Sequence, residues 1–388
     1  MAASPGALAD APGVARLHWG SFAGLFCVGI WATSFGPALP FLADEFGVSL
    51  DGAGFLLTVL FLGSITASGA MALWLHQLEA RLLAAGGLVV AAIGVAGLAI
   101  APSWPLALAS VAFLGFGDGF LVAAAHAAIA TTAKDVPHSI NRLNLWFAVG
   151  AMLGPLWAGA VLSQWADHRP VYAGVSVLAL AAAALLFAAP RSHPVASHAP
   201  AAGSRANGTV LVMGAVLFLY VGAEIGLGSW VSSYSREAFG AGVMAGALVA
   251  SGYWGALALG RVASGMLFGR GVAPLAVLVT SITGALAAST VLAAAGGSLA
   301  LGAAAAFATG LFFGPIWPAA ITIASHGSAS GAPATMVTVG NAGGILFPWF
   351  QGRVLVAAGP SRGIALTAAI CAGMLILAAS YRRKLRAE

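Results

Sequence analysis

Two carboxylates stand where carboxylates are costly. Of the eleven Asp and Glu residues in this 388-residue chain, nine lie in loops, tails or at the ends of apolar runs. Only Asp118 and Glu224 fall near the middle of such runs. A charged group at bilayer depth costs at least a few kcal/mol and marks a functional site by default. A carboxyl in those surroundings can take up and release a proton as the helices around it move. Glu224 follows Tyr220 and lies among Gly222, Gly226 and Gly228, which suits a bending helix lining a cavity. It is expected to carry a proton or accept a hydrogen bond from a solute; the plainer alternative is a neutral acid bonded to a neighbouring helix. Asp118 lies between Gly117 and Gly119, which let another backbone approach closely, so a coupling role and a structural hydrogen bond stand equally. His126 follows eight residues later, about 80° around a helix of 3.6 residues per turn. It is expected either to relay a proton with Asp118 or to be a hydrogen-bonded packing residue.

The runs that hold these residues decide the class. The chain is 60% apolar and 7% charged, with a mean hydropathy of +0.97. A soluble domain carries roughly 25% charged residues, so a water-soluble enzyme and a disordered chain are both excluded. About 20 apolar residues cross a bilayer core. That window gives twelve expected spans: 17–40, 52–75, 81–101, 104–133, 139–162, 170–189, 209–231, 241–262, 272–294, 298–324, 332–356 and 362–381. The fold class is therefore an all-α membrane protein of twelve transmembrane helices. The expected domains are a tail at 1–16, a six-helix bundle at 17–189, a linker at 190–208, a second bundle at 209–381 and a tail at 382–388.

Charge gives orientation. With both termini cytoplasmic, twelve of the sixteen Lys and Arg residues fall on the cytoplasmic side. Arg169, Arg236, Arg353 and Arg362 are the four outside, which satisfies the positive-inside rule. The net charge of +5 forms no basic face, so no nucleic-acid partner is expected. Cys27 and Cys371 lie inside apolar runs with no metal-ligand spacing, so neither metal nor cofactor is implied.

The bundles read as copies. An offset of 193 residues maps Gly150, Leu153, Pro155, Gly159, Val161 and Leu162 onto Gly343, Leu346, Pro348, Gly352, Val354 and Leu355. The same offset maps Val28, Gly29, Phe46 and Gly47 onto Val221, Gly222, Phe239 and Gly240. An even helix number per half makes this a parallel repeat about an axis along the membrane normal.

Local motifs narrow the class. The fourth span carries Gly117-Asp118-Gly119 and then His126, and the fifth opens with Arg142-Leu143-Asn144. The seventh carries Tyr220-Val221-Gly222-Ala223-Glu224 and Trp230, the eighth Gly260-Arg261, and the tenth Gly314-Pro315-Ile316-Trp317-Pro318. With the repeat, these resemble the major facilitator superfamily over nearly the whole chain, and within it the fucose permease and related sugar:proton symporters. That family has asparagine at the His126 position, and its fourth-helix glutamate would fall at Val122. Its first-helix acid has no counterpart here. The superfamily's loop motif persists loosely as Gly69, His76, Glu79 and Arg81.

The resemblance implies a secondary active transporter working by alternating access, with a small polar, sugar-like solute carried together with protons. Expected solute contacts are Trp31, Tyr220, Glu224, Tyr253, Trp254, Trp317 and Asn341. Indole faces stack on sugar C–H surfaces, and amides bond hydroxyls. Trp19, Trp104, Trp165 and Trp349 are better explained as interfacial anchors, and Asn144 as a helix-end hydrogen bond. Arg261 is expected at the cytoplasmic end of the eighth span. There it would gate by pairing with helix C-terminal carbonyls, or simply obey the charge rule. Arg353 is expected to snorkel to the outer interface. The run Gly150-x-x-x-Gly154-Pro155-x-x-x-Gly159 resembles the fifth-helix motif of drug exporters and supports the alternative, a proton-coupled antiporter of amphipathic compounds. A membrane enzyme finds no His/Asp/Ser cluster to support it. The expected partners are a small solute, protons and the lipid of an inner membrane, with the chain complete as a monomer.

Overall fold

The computed structural model describes residues 12–74, 78–189, 208–325 and 332–387, all as helices and short connections. Thirteen helices follow in order. They are α1 (Pro12–Phe46), α2 (Leu50–Trp74), α3 (Ala80–Ile100), α4 (Trp104–Thr132), α5 (Val136–Trp165), α6 (Arg169–Phe187) and α7 (Gly208–Phe239). Then come α8 (Val243–Gly269), α9 (Pro274–Ala293), α10 (Leu299–Phe313), α11 (Ile316–Ser325), α12 (Ala332–Ala358) and α13 (Pro360–Ala387). Each expected span falls on a helix. Among the described residues, eleven helical stretches are long and apolar enough to cross a membrane. The expected span at 332–356 forms α12, whose Asn341, Gln351 and Arg353 dilute its apolar character.

The boundaries differ from expectation in instructive ways. The tenth span is two helices, α10 and α11, because Pro315 has no N–H to continue the first of them. α8 runs to Gly269, well past the expected end at 262. α1 begins at Pro12, inside the expected tail, and α13 runs to Ala387. The rest of the N-terminal tail and the linker, except Gly208, lie outside the described residues.

Helix starts follow local chemistry. Asp135 caps α5 by accepting from the His138 amide at 3.0 Å, with Pro137 in the first turn. Ser298 caps α10 by accepting from the Leu301 amide at 3.3 Å. α1 and α7 each end in Phe-Gly, and both glycines take left-handed φ values, +61° at Gly47 and +65° at Gly240. That conformation favours glycine, which has no Cβ to clash.

The described chain forms two compact units. The first falls within Met1–Ser34 and Val59–His198, the second within Phe35–Thr58 and Ala199–Glu388. The hairpin at 35–58 thus groups with the second unit, whereas the sequence suggested a division at the linker alone. In the first unit α3 packs on α4 and α6. Gly150 of α5 lies where a Cβ would strike the Phe26 carbonyl of α1. In the second unit α7 packs on α12, α13 and α8. Gly343 of α12 meets the Phe218 carbonyl of α7 in the same manner. The hairpin is held within this unit by Thr58 Oγ1 donating to the Ile345 carbonyl at 2.7 Å and by Arg236 lying 5.4 Å from the Phe41 ring. Trp230, fully buried, donates from Nε1 to the Pro348 carbonyl at 2.6 Å.

Candidate functional site

Glu224 stands at the middle of α7, a helix buried nearly all round. Its glycine neighbours do more than permit bending. Gly222 receives Phe347, Gly226 receives the Gln351 amide and Gly228 receives the Trp254 ring; a Cβ at any of them would collide. These close fits bring α8 and α12 against the segment that carries the acid.

The expected helix-end arginine is not at an end. Because α8 continues to Gly269, Arg261 lies inside it, and its Nη2 donates to Glu224 Oε1 at 2.8 Å. The side chains are 29% and 7% exposed, so the carboxylate is enclosed, and the guanidinium's Nε is buried with it. Opposite charges at this spacing satisfy one another where isolated charges would not survive. The Tyr253 hydroxyl donates to the Glu224 backbone carbonyl at 2.9 Å, fixing α8 on α7 at the acid's own backbone.

Aromatic rings close the cluster. Tyr220 meets Phe313 edge-on, with centroids 5.8 Å apart, and meets Trp317 at 6.3 Å. Tyr253 meets Trp254 at 5.3 Å and Phe313 at 6.4 Å. Trp317 packs against Gly340, the residue before Asn341. The second unit therefore gathers Tyr220, Glu224, Tyr253, Trp254, Arg261 and Trp317 around one ion pair, with Asn341 next to the residue that Trp317 touches. Phe313 went unnoticed in the sequence; the signal was its place at the break before Gly314-Pro315.

Three polar atoms in this cluster are buried without a hydrogen-bond partner: Tyr220 Oη, Trp254 Nε1 and Arg261 Nε. The Tyr220 hydroxyl lies within hydrogen-bond reach of both Glu224 and Arg261, yet completes no bond of normal geometry to either.

Asp118 is organised differently. It sits at the middle of α4 in the first unit. Trp31 of α1 donates from Nε1 to Asp118 Oδ1 at 3.1 Å, and Ser64 of α2 donates to Oδ2 at 2.8 Å. Gly117 and Gly119 bring the backbones of α3 and α2 against α4, at Gly87 and Ser64. Trp31 is fully buried, with its indole closed on Asp118 and no face exposed. Ser64 was the partner that sequence reasoning missed. His126 is bonded elsewhere: its Nδ1 meets the Val122 carbonyl of its own helix at 2.8 Å, and its ring meets the Asn144 side chain. Asn144 itself lies inside α5, which begins at Val136, rather than at a helix end.

The remaining marked residues have plain partners. Arg353 forms an ion pair with Asp51 at 3.2 Å and lies 5.8 Å from the Trp349 ring. Arg81 pairs with Glu79 at 3.0 Å and donates to the Phe187 carbonyl at the end of α6. His76 of the same loop motif lies outside the described residues. Trp19 and Trp165 are more than half exposed, as interfacial anchors would be.

Comparison with known proteins agrees on the fold. No curated protein matches the chain by sequence. Among solved structures, the nucleoside transporter NupG superposes with a TM-score of 0.73 at 13% identity, over 96% of this chain and 98% of that one. The E. coli fucose:proton symporter FucP gives 0.64 at 18% identity, over 94% and 97%. The human organic anion transporter MFSD10 gives 0.69 at 17% identity, over 95% and 100%. The family model of the Major Facilitator Superfamily matches residues 21–348. The chain belongs to the Major Facilitator Superfamily, whose members are membrane transporters and not enzymes.

Proposed function

We propose that this protein is a secondary active transporter that carries a small polar, sugar-like solute together with protons by alternating access. The observation that carries the reading is the Glu224–Arg261 pair at mid-helix, ringed by Tyr220, Tyr253, Trp254 and Trp317. In this reading Glu224 is the proton carrier. Protonation removes the negative charge, loosens the pair and lets the loaded carrier change state. The aromatic rings and Asn341 contact the solute, and Arg261 holds the empty carrier closed by holding Glu224. Asp118 already has a neutral donor on each oxygen, so we assign it the joining of α1, α2 and α4 rather than proton movement. His126 packs with Asn144 beside it.

The finer architecture belongs to the same proposal. The 193-residue offset, the matched left-handed glycines at 47 and 240 and the matched contacts of Gly150 and Gly343 support two six-helix halves related as a parallel repeat. The Lys and Arg distribution supports both termini on the cytoplasmic side of an inner membrane. We take the working unit as a monomer.

The test uses purified protein in liposomes with a pH-sensitive dye inside. Sugars added outside should acidify the lumen, because protons enter with solute. Alkalinisation by a lipophilic cation would make the chain an antiporter of the exporter type and overturn the symport reading.

A further inference from the structure

The three unpaired atoms of this cluster have one chemistry in common. Trp254 Nε1 and Arg261 Nε can only donate, and Tyr220 Oη donates readily. Tyr220 is fully buried and Trp254 is 4% exposed, so bulk water does not serve them. A buried donor left unpaired costs about 1–3 kcal/mol. Arg261 Nε belongs to the guanidinium itself, Tyr220 Oη lies within reach of it, and Trp254 Nε1 lies over Gly228, one turn along α7 from Glu224; this set of donors forms a recognition surface for oxygen acceptors.

The arginine adds charge to that surface. The Nε and Nη2 atoms form the side edge of a guanidinium, the edge that takes a carboxylate with two parallel bonds. Here Nη2 is engaged by Glu224 Oε1 at 2.8 Å while Nε has no partner. The edge is thus half filled by the protein's own acid. The other polar and titratable groups facing Glu224 are Tyr220 on α7 and Tyr253 and Arg261 on α8, with Cys371 of α13 beside Tyr253. Arg261 is the only cation among them.

We propose that the solute is a small hydroxylated carboxylate, and that its carboxylate replaces Glu224 on the Arg261 edge once Glu224 has taken up a proton. The inference rests on the transporter reading above and names the substrate class of that site. One proton moves from the outer solution to the Glu224 carboxylate, and one anion takes its place on Arg261. Tyr220 and Trp254 donate to the solute's hydroxyls. Release reverses both steps, so each cycle carries one proton and one negative charge. Transport is then driven by a pH difference and indifferent to membrane potential.

The experiment uses the full-length protein in liposomes and two labelled pools of matched size, glucose with galactose and gluconate with glucuronate. A pH step and a valinomycin-set potassium potential are applied separately. The expected result is uptake of the acid pool under the pH step, unchanged by the potential. Uptake of the neutral pool, accelerated by an inside-negative potential, overturns the carboxylate inference while leaving proton symport intact. Absence of proton movement with either pool overturns both. A binding readout guards against a variant that inserts poorly. Gluconate and glucuronate should quench tryptophan fluorescence in the wild type and bind about tenfold or more weakly in Arg261→Lys, which keeps the charge and loses the paired edge. Equal binding by Arg261→Lys and wild type overturns the proposal.

Discussion

The two units each hold one mid-helix carboxylate, and they partner it in opposite ways. In the first unit Asp118 receives one neutral donor on each oxygen, from Trp31 and Ser64, and the donors are used up in doing so. In the second, Glu224 faces a formal cation, and three donors around the pair remain unspent. A closed hydrogen-bond set stabilises one arrangement of helices, because nothing is gained by separating its members. An ion pair that protonation can break, surrounded by unpaired donors, has a second arrangement available as soon as a proton and an acceptor arrive. The same residue class at mid-helix is thus closed by neutral donors in one unit and paired with a cation in the other.

The sharpest way to break this contrast is Glu224→Gln. Solute accumulation under a pH gradient should fall to a ratio of about 1, the value for a carrier without coupling, while exchange of solute across the membrane persists. Accumulation assays and counterflow in the same vesicles separate the two. Next in size is Arg261→Ala, which leaves a buried acid without its cation and should destabilise by about 3–5 kcal/mol. Adding Glu224→Gln to it should restore most of the lost thermal stability in detergent, because the pair is then removed rather than broken. If the double variant is no more stable than the single one, the pair does not hold the fold in the way described.

Asp118 supplies the counterpart. Asp118→Ala strands the Trp31 and Ser64 donors, at about 1–3 kcal/mol each, and should lower the melting temperature visibly. Asp118→Asn keeps an acceptor and a group that Ser64 can bond in turn, so its stability should lie within about 1.5 kcal/mol of wild type and its proton-driven uptake should survive. The smallest effect belongs to Arg353→Ala. The Arg353 side chain is 60% exposed, and an ion pair of that kind is worth less than about 1 kcal/mol. A large loss of transport there would move attention from the mid-helix pair to the Asp51 hairpin.

Much of this was legible in the residues. Continuous apolar runs fix where helices form in a bilayer, since every backbone group must be satisfied within the segment. Asp118 and Glu224 stood out because a carboxylate in the middle of an apolar run is expensive. Their partners were harder to read. Arg261 looked like a helix-end residue because hydropathy fades after it, yet α8 continues to Gly269 and turns the side chain toward α7. Helix length past the apolar window is set by packing, which a hydropathy window does not sense. Ser64 was invisible because a lone serine in an apolar helix ordinarily bonds its own i−4 carbonyl. Phe313 became part of the site only through the break at Gly314-Pro315, which re-aims the chain after α10. Glycine-rich stretches were read as flexibility at Gly222, Gly226 and Gly228, and they turned out to be seats for Phe347, Gln351 and Trp254. Sequence reports that a side chain is missing at such positions; only the neighbours say what fills the space.

The most direct test of the contrast between the two carboxylates is proton flux per solute, measured with an internal pH dye in liposomes holding Glu224→Gln or Asp118→Asn. The account predicts that solute fails to move protons through Glu224→Gln and continues to move them through Asp118→Asn. Loss of proton movement in Asp118→Asn with its retention in Glu224→Gln would contradict it.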